Sequence, residues 1–129
     1  MSRLSTAFFA VAVLYAMGGM LMGMFMGATQ DFSMRSVHAH INLLGWATLA
    51  LMGAFFGIAG ARAPQKLGWA VLVVANVANL MMLPMVYLIS QGRPPIAPLL
   101  MGGEMLAVVS ILMFGACVVL AGRRRAAGA

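Results

Sequence analysis

Charged residues are scarce in this chain of 129 residues. Only 8% of the residues are charged and 64% are hydrophobic, whereas about 25% of a typical soluble domain is charged. A water-soluble fold of this length needs more polar surface than so few charged side chains supply. The composition therefore excludes a soluble enzyme and a disordered chain, and it predicts a protein that lies almost entirely within a membrane.

Cysteine is nearly absent as well, because Cys117 is the only one in the chain. A single cysteine cannot form an internal disulfide, which excludes a secreted scaffold held by disulfides. The sequence has no Gly-rich phosphate loop and no Ser-His-Asp arrangement. Its net charge of +6 comes from basic residues at the ends of apolar runs. These residues indicate membrane topology and contact with anionic lipid head groups, not nucleic-acid binding.

Four apolar segments reach the length of about 20 residues that a membrane-crossing helix needs. They cover residues 4–28, 34–61, 67–90 and 98–121, and short turns separate them. Turns this short make neighbouring helices antiparallel. The predicted fold is all-α, an integral membrane four-helix antiparallel bundle that forms one transmembrane domain over residues 1–129. We expect Asp31 or Ser33 to cap the second helix.

The basic residues predict the orientation of the bundle. Four spans place both termini and the second loop on one side of the membrane. That side holds six basic residues and the other side holds two; the six are Arg3, Arg62, Lys66, Arg123, Arg124 and Arg125, and the two are Arg35 and Arg93. The positive-inside rule therefore places both termini in the cytoplasm of a bacterial-type inner membrane.

Ionisable side chains within the spans are the candidates for function, because placing them in a bilayer is costly. The second span contains His38 and His40, and the fourth contains Glu104. At a rise of about 1.5 Å per residue, these three lie at similar depth in the outer leaflet, with Arg35 and Arg93 nearby. We therefore expect a polar cluster on this side of the bundle.

The two histidines point in different directions. They lie roughly 200° apart around the helix, so they cannot bind one metal ion together. His38 shares its face with Asn42 and Gly45, where the glycine either admits a flat cofactor or lets two helices approach closely. His38 is a candidate axial ligand of haem iron, and Arg35 is a candidate partner of a haem propionate. The structural alternative is a histidine that is hydrogen-bonded near the interface.

Glu104 follows two glycines, so a close approach of backbones is expected there. A functional Glu104 orients a histidine or handles a proton. The alternative is a carboxylate near the helix start that faces the head groups.

The second span resembles a known membrane helix. Arg35-x-x-His38, followed by His-Ile-Asn-Leu-Leu-Gly-Trp over residues 40–46, is similar to the second transmembrane helix of the catalytic subunit of haem–copper oxidases. The resemblance is closest to the C-type branch and the nitric-oxide-reductase relatives, and it covers roughly residues 35–57. It implies that His38 is an axial ligand of haem b, that Arg35 pairs with a propionate, and that His40 contacts the ligand's surroundings or another helix. The candidate cofactor-binding residues are therefore His38, His40, Arg35, Asn42, Gly45 and Glu104, with His38 as the metal ligand.

The chain also departs from this family. The oxidase subunit is several times longer, and no histidine follows His40 here, so the oxygen-reducing centre cannot be assembled. We therefore expect no autonomous enzyme. A sixth haem ligand comes from His38 of a second copy, from a methionine, or is missing. A symmetric dimer supplies two histidines from one gene.

The first span contains a glycine stripe and a set of methionines. Gly19, Gly23 and Gly27 form two G-x-x-x-G steps on one face, which predicts close packing within the chain or between copies. We expect a homo-oligomer, with a dimer formed through this stripe or through the second helix. Four methionines lie among these glycines, namely Met20, Met22, Met24 and Met26. Thioethers suit Cu(I), but they also fill apolar gaps.

Three functions remain open from the sequence. The first is a haem b-binding membrane protein, cytochrome-like, that transfers electrons or senses a gas. The second is a non-catalytic subunit or assembly partner of a respiratory oxidase. The third is a Cu(I)-handling membrane protein.

Overall fold

Four long helices make up the chain. The computed structural model describes residues 2–126, with side chains for residues 2–124, so the side chain of Arg125 lies outside the described part. The helices are α1 (Arg3–Thr29), α2 (Arg35–Arg62), α3 (Gln65–Ser90) and α4 (Ala97–Ala126). Each is long and apolar enough to cross a membrane. The predicted all-α four-helix bundle is confirmed, and the predicted ends are correct to within a few residues.

Helices are the expected form because hydrocarbon cannot satisfy free backbone groups. The Ser2 hydroxyl starts α1 by accepting a hydrogen bond from the Ser5 N–H at 3.1 Å. Gln30 ends α1 in the left-handed region with φ 55°, and Gly60 ends the regular part of α2 with φ 56°. These reversals, together with the turn after α3, set the antiparallel course of the chain.

The turn between α1 and α2 differs from the prediction. Met34 precedes α2 and provides no side-chain cap. The Asp31 carboxylate instead accepts a hydrogen bond from the Ser33 N–H at 2.9 Å within the turn. The Ser33 backbone N–H, and secondly its hydroxyl, hold the pKa of the Asp31 carboxyl below its ordinary value. The expectation that Asp31 or Ser33 caps α2 is therefore wrong, because both residues are used to form the turn.

Helix α2 is irregular in its middle. It is α-helical over Arg35–His40, a π-helix over Ile41–Ala47, and α-helical again over Thr48–Ala59. The Thr48 N–H bonds the Leu43 carbonyl, and the Thr48 hydroxyl donates to the same oxygen at 2.8 Å. A π segment widens the helix and often marks a functional region. It directly follows the two histidines.

The helices pack as two hairpins, α1 with α2 and α3 with α4. Near the two termini, all four helices share one apolar core that includes Phe8, Met52, Phe56, Val71 and Cys117. The rings of Phe8 and Phe56 stack there with centroids 5.3 Å apart. We call this end the terminal side and the opposite end the Asp31 side.

On the Asp31 side, a smaller apolar cluster joins α2 to α3. It is formed by Val37, Met82 and Val86. The two hairpins are thus held together at both ends of the bundle.

Candidate functional site

The site is built on the interface between α1 and α2, where glycines alternate with larger side chains. At five levels, a glycine of one helix faces a larger residue of the other: Gly57 faces Ser5, Gly53 faces Phe8, Gly45 faces Tyr15, Gly19 faces Asn42 and Gly23 faces His38. Small residues let membrane helices approach closely. Because of this spacing, His38 and Asn42 lie directly against the backbone of α1.

His38 is fixed by a hydrogen bond to the neighbouring helix. Its Nδ1 lies 2.9 Å from the Gly19 carbonyl oxygen. A carbonyl oxygen only accepts hydrogen bonds, so Nδ1 carries the proton and the lone pair of the neutral ring lies on Nε2. A Cβ atom at Gly23 would lie 3.0 Å from His38 Cε1. The glycine therefore provides the space that the imidazole occupies.

The second ring nitrogen of His38 has no hydrogen-bond partner in the described residues and is not completely enclosed. Nε2 takes part in no hydrogen bond within residues 2–126. It is not buried either, because Asn79 Nδ2 is the one buried side-chain nitrogen or oxygen without a partner in this part of the chain. A histidine with Nδ1–H bound to a carbonyl and Nε2 free has the arrangement usual for a metal-binding histidine.

Asn42 supports His38 from one turn further along α2. Its Nδ2 donates to the His38 carbonyl at 2.8 Å and lies 3.4 Å from His38 Nδ1. A Cβ atom at Gly19 would collide with this amide. His38 and Asn42 therefore share one face, as the sequence predicts.

Gly45 lies on the same face but does not border an open space. The ring of Tyr15 packs directly onto it. Of the two readings offered by the sequence, this contact matches the close approach of two helices. The space beside Gly45 is filled by Tyr15 and is not open to a flat cofactor.

His40 points elsewhere, as its position on the helix predicts. Its Nδ1 donates to the Ser36 carbonyl of α2 at 2.7 Å. Arg35 is exposed at the start of α2. No three side chains among His, Cys, Asp and Glu in residues 2–126 converge on a common point. A metal bound by a cluster of three or more of these side chains is therefore not supported in the described residues.

Glu104 lies on the other hairpin. A Cβ atom at Gly103 would lie 3.0 Å from the Met82 nitrogen and 3.1 Å from the Ala78 oxygen, so α3 and α4 approach closely there, as expected. Glu104 is exposed. Within the described residues, the hydrogen bonds of the two histidine rings go elsewhere and do not reach its carboxylate. Within the described residues, no hydrogen bond joins the five side chains of the expected polar cluster, and His38 contacts Asn42 and α1 instead.

The methionines of α1 do not gather around one point. Met20 and Met24 are 65% and 69% exposed, whereas Met26 is buried. Met22 packs against the Val37 cluster. The glycine stripe is used within the chain at Gly19 and Gly23, whereas Gly27 faces open space. A dimer interface at Gly19 and Gly23 would require α1 and α2 to separate.

Two features of the middle of the bundle were not predicted. One is the π segment of α2, whose only sequence signal is a threonine placed to bond the carbonyl five residues earlier. The other concerns the two asparagines of α3, a residue type that commonly forms hydrogen bonds between membrane helices. Asn76 accepts a hydrogen bond from the Tyr15 hydroxyl at 3.1 Å. Asn79 lies beside the same hydroxyl, and its buried Nδ2 has no other partner within residues 2–126.

Comparisons with protein-family models, curated proteins and solved structures gave no match. The function is therefore argued from the geometry around His38.

Proposed function

We propose that the chain is a haem b-binding membrane protein in which His38 Nε2 is an axial ligand of the iron. The carrying observation is the hydrogen bond from His38 Nδ1 to the Gly19 carbonyl, which leaves the lone pair on Nε2. A bound haem would supply reversible one-electron chemistry, or binding of a diatomic gas. The protein contributes a ligand held in one tautomer and one orientation by α1.

Arg35 supports the same site from the start of α2. It is exposed and lies three residues before His38, which is about one helical turn. A guanidinium at this level suits a carboxylate near the membrane surface. Arg35 is therefore the proposed partner of a haem propionate.

The site has one histidine ligand per chain. His40 lies roughly 200° from His38 around α2, so a second histidine on the same iron has to come from another copy. We propose a homodimer that places two His38 rings on opposite sides of one haem, since a twofold axis makes such a site self-complementary. The contact surface would be the edge of the α1–α2 interface beside His38, because Gly19 and Gly23 are themselves occupied within the chain. With both termini cytoplasmic, this haem lies in the outer leaflet.

Haem titration of the purified protein tests this proposal. We expect saturable haemin binding by wild type, read from the Soret band, and no such binding by His38→Asn. Asparagine places Nδ2 where His38 has Nδ1, so it keeps the contact with Gly19 but cannot ligate iron. His40→Ala is the matched control and should bind like wild type.

The same variants separate ligation from a structural role. His38→Ala should lower the thermal midpoint of unfolding, because it also removes the tie to α1, whereas His38→Asn should restore it. Haemin binding by folded His38→Asn with wild-type affinity and spectrum would overturn the proposal.

A further inference from the structure

A groove lies between α2 and α4 at the terminal side of the bundle. Its volume is about 200 Å³, and it is lined by Phe55, Ile58, Ala59, Arg62, Val118, Ala121 and Gly122. Arg62 is the one charged side chain among these residues. Ile58 and Val118 are exposed on the outside of the bundle. The groove is therefore open to lipid along its length, with a guanidinium group at one end.

A second guanidinium group joins Arg62 at this end of the groove. Arg124 Nη1 donates a hydrogen bond to the Arg62 backbone oxygen at 3.4 Å, so a side chain of α4 reaches the end of α2. The Arg62 side chain turns back along its own helix, where Nε and Nη2 donate to the carbonyl oxygens of Ala59 and Ile58, each at 3.4 Å. A guanidinium group has five N–H donors. Both arginines therefore keep donors for a further partner.

The acidic side chains of the protein lie far from these two arginines. Asp31 and Glu104 are the only acidic residues in the sequence. Asp31 lies in the turn at the opposite end of the bundle. Glu104 precedes Arg124 on α4 by a distance of about 30 Å at the usual helical rise. Neither carboxylate can pair with Arg62 or Arg124, so the positive charge at this end of the groove favours an anionic ligand.

The depth of the groove indicates what else this ligand contains. From Ala97 to Arg124, α4 covers about 40 Å, which is close to the thickness of a bilayer with its head groups. The arginines therefore lie at the level of lipid phosphates. Val118 lies about 9 Å further into the bilayer, so the groove runs from the head groups into the hydrocarbon. A cavity of roughly 150 Å³ holds a benzene ring, and about 200 Å³ suits a segment of one acyl chain.

We propose that this groove binds an anionic glycerophospholipid, with its phosphate at Arg62 and Arg124 and a segment of one acyl chain in the groove. Guanidinium groups bind phosphate oxygens through paired N–H donors. A head group without an ammonium fits this site, because a cationic choline would be repelled by the two arginines. The lipid joins the hairpins, since Arg62 belongs to the first and Arg124 to the second. The inference does not depend on haem binding, because His38 lies on the Asp31 side.

Native mass spectrometry of the purified full-length protein tests the proposal, because it resolves each bound lipid. Dioleoylphosphatidylglycerol is the probe, and dioleoylphosphatidylcholine, with the same chains, should bind more weakly. Arg62→Gln/Arg124→Gln should weaken binding of the first phosphatidylglycerol about thirtyfold. Arg3→Gln/Lys66→Gln removes the same charge from the same side but outside the groove, and it should weaken binding far less. Equal weakening by the two double variants, or equal binding of the two lipids, would overturn the proposal.

Two glycines test the apolar part of the site. A Cβ atom at Gly122 or at Gly18 would meet nothing within 4 Å, so neither position clashes at the first added carbon. Gly122→Leu fills the groove and should weaken phosphatidylglycerol binding, whereas Gly18→Leu, on α1, should leave it unchanged. Unchanged binding in Gly122→Leu would mean that no acyl chain occupies the groove, which also overturns the proposal.

Thermal unfolding gives a second readout. Phosphatidylglycerol should raise the midpoint more than phosphatidylcholine does, because a ligand of the folded state stabilises it, and Arg62→Gln/Arg124→Gln should lose this increase. Inorganic phosphate at the same concentration should neither raise the midpoint nor displace the lipid. Full displacement by phosphate would mean that the arginines bind free anions without a chain, against the proposal. His38→Asn should bind phosphatidylglycerol normally, so this test and the haem test can fail separately.

Discussion

A single hydrogen bond between helices determines the tautomer of His38. The sequence places it on the same face as Asn42, but the bond from Nδ1 to the Gly19 carbonyl is what assigns the proton to one nitrogen and frees the other. The partner is a backbone oxygen of another helix, nineteen residues away. No pattern within α2 predicts it, whereas the face that His38 shares with Asn42 follows from helical periodicity alone.

The hydrogen bonds in the turn at Asp31 predict how the stability of this turn depends on pH. The carboxyl pKa is lowered from an ordinary value of 3.8, chiefly by the Ser33 backbone N–H. This contact therefore stabilises the folded turn above the ordinary pKa, and the stabilisation is lost as the pH falls through the lower, folded value. Titration of the Asp31 carboxyl carbon by NMR should give a midpoint below 3.8.

Substitutions at Ser33 separate the effects of its backbone N–H and its hydroxyl on the pKa of Asp31. Ser33→Ala should keep most of the lowering, because the backbone N–H remains. Ser33→Pro removes that N–H and should return the midpoint towards 3.8. An unchanged midpoint in Ser33→Pro would contradict the assignment.

At the scale of elements, the α1–α2 pair depends on where its glycines lie. A Cβ atom at Gly19 would collide with the Asn42 amide, whereas one at Gly18 meets nothing within 4 Å. Gly19→Ala should therefore destabilise the protein by about 1–3 kcal/mol, as overpacking does. Gly18→Ala is the matched control and should be neutral or slightly stabilising. Thermal unfolding followed by circular dichroism measures the stability of both variants. Equal midpoints for the two variants would contradict the close contact between Gly19 and Asn42.

The elements also show how far sequence reasoning reaches. Four spans and their ends follow from apolar length, and the close approach at Gly103 follows from paired glycines. The predicted N-cap of α2 was wrong. The Asp31 carboxylate can accept hydrogen bonds from N–H groups of the turn or of the helix, and the local sequence does not decide between them. The π segment was not predicted, because its apolar residues fit a regular α-helix equally well.

At the scale of the whole molecule, the two hairpins are joined by few polar contacts. The hydrogen bond from Tyr15 to Asn76 links α1 to α3. Tyr15→Phe should destabilise the protein by about 0.6 kcal/mol, the average for interhelical hydrogen bonds in membranes. Unfolding in mixed micelles measures this, and Tyr87→Phe, on an exposed position of α3, is the control. If Tyr15→Phe lowers the free energy of unfolding by no more than Tyr87→Phe does, the hydrogen bond from Tyr15 to Asn76 does not stabilise the contact between the hairpins.

The orientation of the bundle gives a separate prediction. With Cys117 replaced by serine, single cysteines at Ser33 and at Lys66 should label from opposite sides of the membrane. The distribution of basic residues predicts that Ser33 lies outside and Lys66 inside. A membrane-impermeant thiol reagent applied to intact cells should therefore modify the Ser33→Cys variant only. Labelling of Lys66→Cys alone would reverse the topology and place His38 in the cytoplasmic leaflet.

Whether His38 ligates haem is tested most directly by the reduced-minus-oxidised optical spectrum of the protein purified from its expression membranes. We expect sharp α and β bands in wild type and in His40→Ala, and no such bands in His38→Asn that is folded to the same thermal midpoint. Their loss in a folded variant that keeps the Gly19 contact would assign the iron to His38 Nε2. A featureless wild-type spectrum after expression with ample haem, or unchanged bands in His38→Asn, would contradict the proposed function.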